Sequence, residues 1–140
     1  DMGYSCALYV QAAIKSAIGK SITVSGAAVP VVSNPYEEQA LPYIVINQIG
    51  ENNADTINTS ERWYDVTIDV YTGDYKTAGT VTNKDIRRQI INALHRASLS
   101  ISNCAFRGCL FDSSPPEFIE PDGNTVHGQC RFRIHVDTLT

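Results

Sequence analysis

The sequence predicts an α+β fold: two helices packed on one face of a mostly antiparallel four- to five-stranded sheet. Three observations carry this. Residues 62–71 and 126–136 alternate between an apolar and a partly polar face, residues 4–18 and about 77–97 carry apolar stripes at helical spacing, and the order along the chain is helix, strands, helix, strands. Side chains repeat every second residue on a strand and at helical period on a helix. Two helices of this length can cover one face of such a sheet. The 140 residues are read as one domain, 1–140, long enough to bury a core without staples.

Within residues 4–18, Val10, Ala13, Ile14 and Ala17 form one stripe. Ser5 is a candidate N-cap and Gly19 a candidate left-handed stop. Short β-rich pieces follow at 22–24 and 29–32, where Pro30 lacks the N–H a central strand needs. Residues 34–40 form a polar connector containing Pro35. Residues 43–49 read as a mostly apolar strand ended by Gly50. Residues 51–59 are rich in Asn, Asp and Thr, lack apolar periodicity, and read as an exposed, mobile loop.

In 62–71, Tyr64, Val66, Ile68 and Val70 point one way, while Trp63, Asp65, Thr67, Asp69 and Tyr71 point the other. A turn at 72–76 leads into the second helix, whose core stripe is Val81, Ile86, Ile90, Leu94 and Ala97, supported by Ile91. His95 and Arg96 fall in its last turn, where positive charge suits the helix dipole. Residues 101–111 read as a strand, broken at 113–116, and Pro121-Asp122-Gly123-Asn124 is a strong turn. Finally, Val126, Cys130, Phe132, Ile134 and Val136 share one face, with a gap at Gly128; His127, Gln129, Arg131, Arg133 and His135 share the other.

Composition narrows the function. A net charge of −4 and a pI near 5.2 make the chain a poor non-specific DNA binder, because phosphate neutralisation needs excess Lys and Arg. No apolar run approaches the roughly 18–20 residues that span a bilayer. The first residues show no basic segment before an apolar core, so no signal peptide is expected. Cys6, Cys104, Cys109 and Cys130 are too sparse for a disulfide scaffold and read as reduced thiols made in a cytoplasm.

Candidate chemistry is weak. Asp65 and Asp69 lie roughly 13 Å apart along their strand, too far to share a proton or flank a glycosidic bond. Charge pairing with Arg131 and Arg133, across strands or subunits, suits them better. Cys104, Cys109, Cys130 and His127 have only marginal zinc spacing, and Cys130 and His127 fall on opposite strand faces. A nucleophile elbow is missing, and Gly19-Lys20-Ser21 follows a helix instead of opening one. The oxygen ligands of 51–55 lack calcium-loop spacing. Trp63, Tyr64 and Tyr71 have acidic surroundings, which favours core or interface roles over base stacking. No catalytic, cofactor or metal residue is assigned, and the chain is not read as an enzyme.

One ordered set of motifs is specific. An Ala-rich opening helix is followed by Leu41-Pro42-Tyr43-Ile44-Val45-Ile46, by Trp63-Tyr64-Asp65-Val66-Thr67-Ile68-Asp69-Val70, by a helix ending in Ile90-Ile91-Asn92-Ala93-Leu94, and by an Asp-Gly turn feeding Gly128-Gln129-Cys130-Arg131-Phe132-Arg133-Ile134. This order resembles the tail-completion, or tail-terminator, proteins of long-tailed phages and related gene-transfer particles. The resemblance implies a virion protein, made in the host cytoplasm, that forms a homo-oligomeric ring, commonly a hexamer, at the head-proximal end of the tail tube. Such a ring ends tube growth and meets both the tube protein and the head connector, and DNA passes through it without sequence-specific binding. Neither a catalytic residue nor a cofactor is implied, and no membrane partner. The alternatives are another phage neck or connector adaptor, or a small enzyme of unrecognised type. In a ring each subunit needs two different surfaces. Asp65, Asp69, Arg131 and Arg133 are the candidate inter-subunit or channel-facing charges. Glu51, Asn52, Asn53 and Asp55 are the candidate interface loop, and residues 111–124 are a second segment expected to order against neighbours.

Overall fold

A computed structural model describes residues 5–32, 40–57 and 60–137. The elements run α1 (Ala7–Ile18), β1 (Thr23–Val24), β2 (Ala27–Ala28), β3 (Val31–Val32), β4 (Tyr43–Asn53), β5 (Glu61–Thr72), α2 (Gly79–Leu94), β6 (Ala105–Ser113), β7 (Phe118–Ile119) and β8 (Val126–Asp137). The expected α+β class holds, with two helices and a mostly antiparallel sheet. The main sheet has six strands, in the order β3-β4-β5-β8-β6, with β7 also pairing β8, while β1 and β2 form a separate ribbon. The expected count of four to five fell short at β7, which is two residues long and too short to show any period, whereas β3 lies within the β-rich piece read at 29–32.

The two alternating segments are β5 and β8, and they pair along their whole lengths, from Glu61↔Asp137 to Thr72↔Val126. Their apolar faces are buried as the alternation required: Tyr64, Val66, Ile68 and Val70 on β5, and Cys130, Phe132, Ile134 and Val136 on β8. These residues share one core cluster with Val10 and Ile14 of α1 and Ile86, Ile90 and Leu94 of α2. The main-chain N–H of Cys6 donates to Tyr64 Oη at 2.8 Å, which docks the start of α1 on β5. Cys6 is also disulfide-bonded to Cys104, correcting the expectation of reduced thiols; the topology brings two residues 98 apart in sequence together. Cys109 and Cys130 are free and buried, and burial pushes both thiols up to about 11.

Several local expectations change. Val81 is exposed rather than core-facing, and the buried stripe of α2 runs Gly79, Asn83, Ile86, Arg87, Ile90, Leu94. Two of its six members are polar, which hid it from an apolar pattern. Gly19 is right-handed helical, not a left-handed stop. Residues 33–39, most of the polar connector, lie outside the described residues.

Asn83 and Arg87 fill the gap that Gly128 leaves on β8. Asn83 Nδ2 donates to the carbonyls of Val70 (3.0 Å) and Val126 (3.2 Å), and Arg87 Nε donates to Asn83 Oδ1 (2.8 Å). Beyond Gly128, the Arg87 guanidinium reaches Ser114 Oγ, the Pro115 carbonyl and the Glu117 carboxylate. Residues 114–117, part of the segment expected to order against neighbours, are thus held by Arg87 of their own chain.

Candidate functional site

The other face of the sheet carries the polar halves of β5 and β8, and every candidate charge falls on it or beside it. The register sets Asp65 opposite Arg133, Thr67 opposite Arg131, and Asp69 opposite Gln129. Asp65 and Arg133 do pair, at 3.3 Å, and Asn52 Nδ2 donates to Asp65 Oδ2 at 2.7 Å. Arg131 is exposed and donates to Gln129 Oε1 at 3.2 Å. Asp69 departs from the expectation of a surface charge facing arginine. It is 1% exposed, and its partner is His127. A residue's place on the polar side of a strand does not say whether neighbouring aromatics cover it.

His127 accounts for Asp69. Its Nε2 lies 2.9 Å from Asp69 Oδ1 and its Nδ1 lies 2.9 Å from Glu120 Oε1. Only the doubly protonated ring donates at both nitrogens. Burial opposes that charge, but the hydrogen bond and charge of Asp69, joined by Glu120, outweigh it and raise the pKa above the ordinary 6.5. The ring stacks on Tyr71 (4.3 Å between centroids), which stacks on Tyr43 (5.0 Å), and Phe118 meets the His127 ring at a tilt, 4.6 Å between centroids. Four strands, β4, β5, β8 and β7, thus present one ladder of rings. Burial, then the Asp69 charge, pushes the Tyr71 phenol up to about 12.

A second cluster sits at the opposite end of the same strands. Trp63 and His135 stack at 4.5 Å with rings 7° from parallel, and Arg133 lies over Trp63 at 4.9 Å. His135 Nε2 meets Glu61 Oε1 at 2.6 Å. Beside it, Trp63, Phe106, Leu110 and Ala97 line an open hollow of about 400 Å³ with Arg96 and Arg107 at its rim. Arg107 pairs with Asp137 at 2.8 Å.

The expected loop at Glu51, Asn52 and Asn53 is instead the end of β4, paired through Glu51↔Tyr64, Asn52↔Trp63 and Asn53↔Arg62. Both faces of β4 are exposed there, so no apolar alternation marks it, and Asn is a poor strand former. Side chains compensate. Arg62 reaches Glu51 Oε2 (3.2 Å), Asn53 Oδ1 (3.1 Å) and Asp55 Oδ1 (2.6 Å). Asp55 lies in the connection to β5, where Ile57 is fully exposed.

Sequence reasoning missed the His127 and His135 clusters. Their signal was present: each histidine stands opposite an aromatic residue in the β5–β8 register, Tyr71↔His127 and Trp63↔His135. Both histidines are bound to carboxylates and stacked on rings, an arrangement that stiffens a surface. One sheet edge is covered too. The N–H of Arg96 donates to the Cys109 carbonyl (2.8 Å) and the Phe111 N–H donates to His95 Nδ1 (2.9 Å), so the turn after α2 caps the outer edge of β6.

Known proteins resemble this arrangement. The family model described as "Tail completion protein gp17" matches residues 7–137. A chain from a solved structure titled "Virion of native gene transfer agent (GTA) particle" is similar at 22% identity, with a TM-score of 0.80 over 96% of this chain and 98% of that one. That likeness is one of fold. No curated protein matches the sequence.

Proposed function

Because the chain belongs to the tail completion protein gp17 family, and so to the tail and neck of a virion, we propose that it closes into a ring at the head-proximal end of the tail tube. There it ends tube growth and joins the tail to the head connector. The family match across residues 7–137 is the observation that carries this reading. The whole chain acts as one α+β unit with both helices on one sheet face, a reading supported by the single core cluster that both helices share with β5 and β8.

The polar sheet face supplies what an assembly part needs. Ring stacks and ion pairs hold it stiff at both ends, so little ordering entropy is lost when neighbours dock. In this reading Asp65, Arg131 and Arg133 face a neighbouring subunit or the channel, while Asp69 acts indirectly by fixing His127. The net charge of −4 suits a channel through which DNA passes without sticking. The role is structural and requires no reaction.

Particles made without this protein test the reading. Tubes of irregular, extended length and unjoined heads and tails are the expected result. Tubes of normal length joined to heads would overturn it.

A further inference from the structure

The four cysteines stand in two different settings. Cys109 and Cys130 are fully buried and free, and burial raises both thiols. The thiolate is the reacting form, so these two are inert. Cys6 and Cys104 are bonded to each other, and Cys104 is only partly buried, in the turn ahead of β6. The start of α1 is docked without that bond. The N–H of Cys6 donates to Tyr64 Oη at 2.8 Å, and Val10 and Ile14 lie in the shared core. In reduced form both cysteines are small apolar side chains that suit the same place. The bond ties α1, which packs on β4 and α2, to β6, at the other end of the sheet order β3-β4-β5-β8-β6. That strand pairs with β8 through a register that shifts twice, at Phe106/Gly108 and at Phe111/Ser113.

We propose that Cys6–Cys104 is a redox lock, open while the particle is built inside the cell and closed once the particle has left it. A virion part is assembled among reducing thiols and works outside them. The fold forms first, on its apolar core, and brings the two thiols together. Outside the cell a low-molecular-weight disulfide supplies the oxidation. The Cys104 thiolate, reachable from solvent, attacks one of its sulfurs, forms a mixed disulfide and releases one thiolate. The Cys6 thiolate then attacks Cys104 Sγ and releases the second. Two cysteine thiols are oxidised, one small disulfide is reduced, and the two cysteine protons end on the two released thiols. The closed bond fixes the start of β6 to the head of α1, so an edge strand that is adjustable during assembly is held afterwards.

This inference rests on the chain being a virion part and not on the ring. Its test traps thiols at two stages. Producing cells and released particles are quenched in acid, denatured and alkylated, and the peptides holding Cys6 and Cys104 are weighed by mass spectrometry. Both residues are expected to be alkylated in the cells and disulfide-linked in the released particles. A bond already closed in the cells, or still open in released particles, would overturn the lock. The variant Cys104→Ala, at a partly exposed position, checks its purpose. It is expected to enter particles at the parental yield. The purified variant is expected to exchange amide hydrogens faster than the parent at 105–108, with a larger rise there than at 64–68. A lost yield, or exchange at 105–108 that matches the parent, would overturn the proposal as well.

Discussion

Gly128 on β8 leaves the space that the Asn83 side chain of α2 occupies: a Cβ at residue 128 would collide with Asn83 Oδ1 and with Arg87 Nε. A strand glycine is ordinarily a weak point, and replacing it by alanine gains a few tenths of a kcal/mol or more. Here the sign reverses. Gly128→Ala is expected to lower stability by about 1–3 kcal/mol, the usual cost of overpacking. Chemical denaturation of the purified chain measures it.

Asn83 itself is fully buried, and its amide serves two strand carbonyls and the Arg87 guanidinium. Asn83→Leu removes the donor and acceptor while keeping similar bulk. Leaving these partners unsatisfied costs about 1–3 kcal/mol. The variant should unfold at lower denaturant, and hydrogen exchange should rise first at the start of α2 and at 126–128.

Glu117 tests the Arg87 tether through pH. Burial alone would raise its pKa; the hydrogen bonds from its own backbone amide and from Arg87, with the charges of Arg87 and Lys84, outweigh burial and hold it below 4.5. A carboxyl depressed on folding stabilises the fold above its unfolded pKa and loses that contribution as pH falls through the folded value. Glu117→Gln should therefore be less stable than the parent at neutral pH, with the gap closing below pH 4.5. Melting temperatures across pH 3–7, roughly the carboxylate range and above, check this.

His127 has the opposite sign. Its folded pKa is raised above 6.5, so its ion pairs stabilise most below pH 6.5 and fade as pH rises through the folded value. His127→Gln should lose the most stability at mildly acid pH and approach the parent at alkaline pH. In the parent, the His127 imidazole resonances should titrate above 6.5.

The Cys6–Cys104 disulfide closes a loop of sequence separation 98. Reducing it should lower stability by about 2–4 kcal/mol. Thiol labelling after denaturation should count two free cysteines before reduction, Cys109 and Cys130, and four after. Four before reduction would contradict the pairing.

How much was legible follows from these residues. β5 and β8 were readable because each has one buried and one open face, so burial wrote a two-residue period into the sequence. The end of β4 was not, because both of its faces are exposed and its stability comes from Arg62 bridging Glu51 and Asp55. The stripe of α2 was misplaced at Val81 because Asn83 and Arg87 occupy core-facing positions for hydrogen bonding rather than for apolar contact. Asp65, Arg131 and Arg133 stand on the polar sheet face, but Asp69 is buried beside His127 of β8, and no local pattern reports that. Cysteine pairing depends on topology and was invisible.

Image reconstruction of the neck of the assembled particle tests the central claim most directly. The expected result is a closed ring of copies of this chain at the head-proximal end of the tail tube, lying between tube and head connector. Density that places the chain elsewhere in the virion, or a neck that lacks it, would contradict the account.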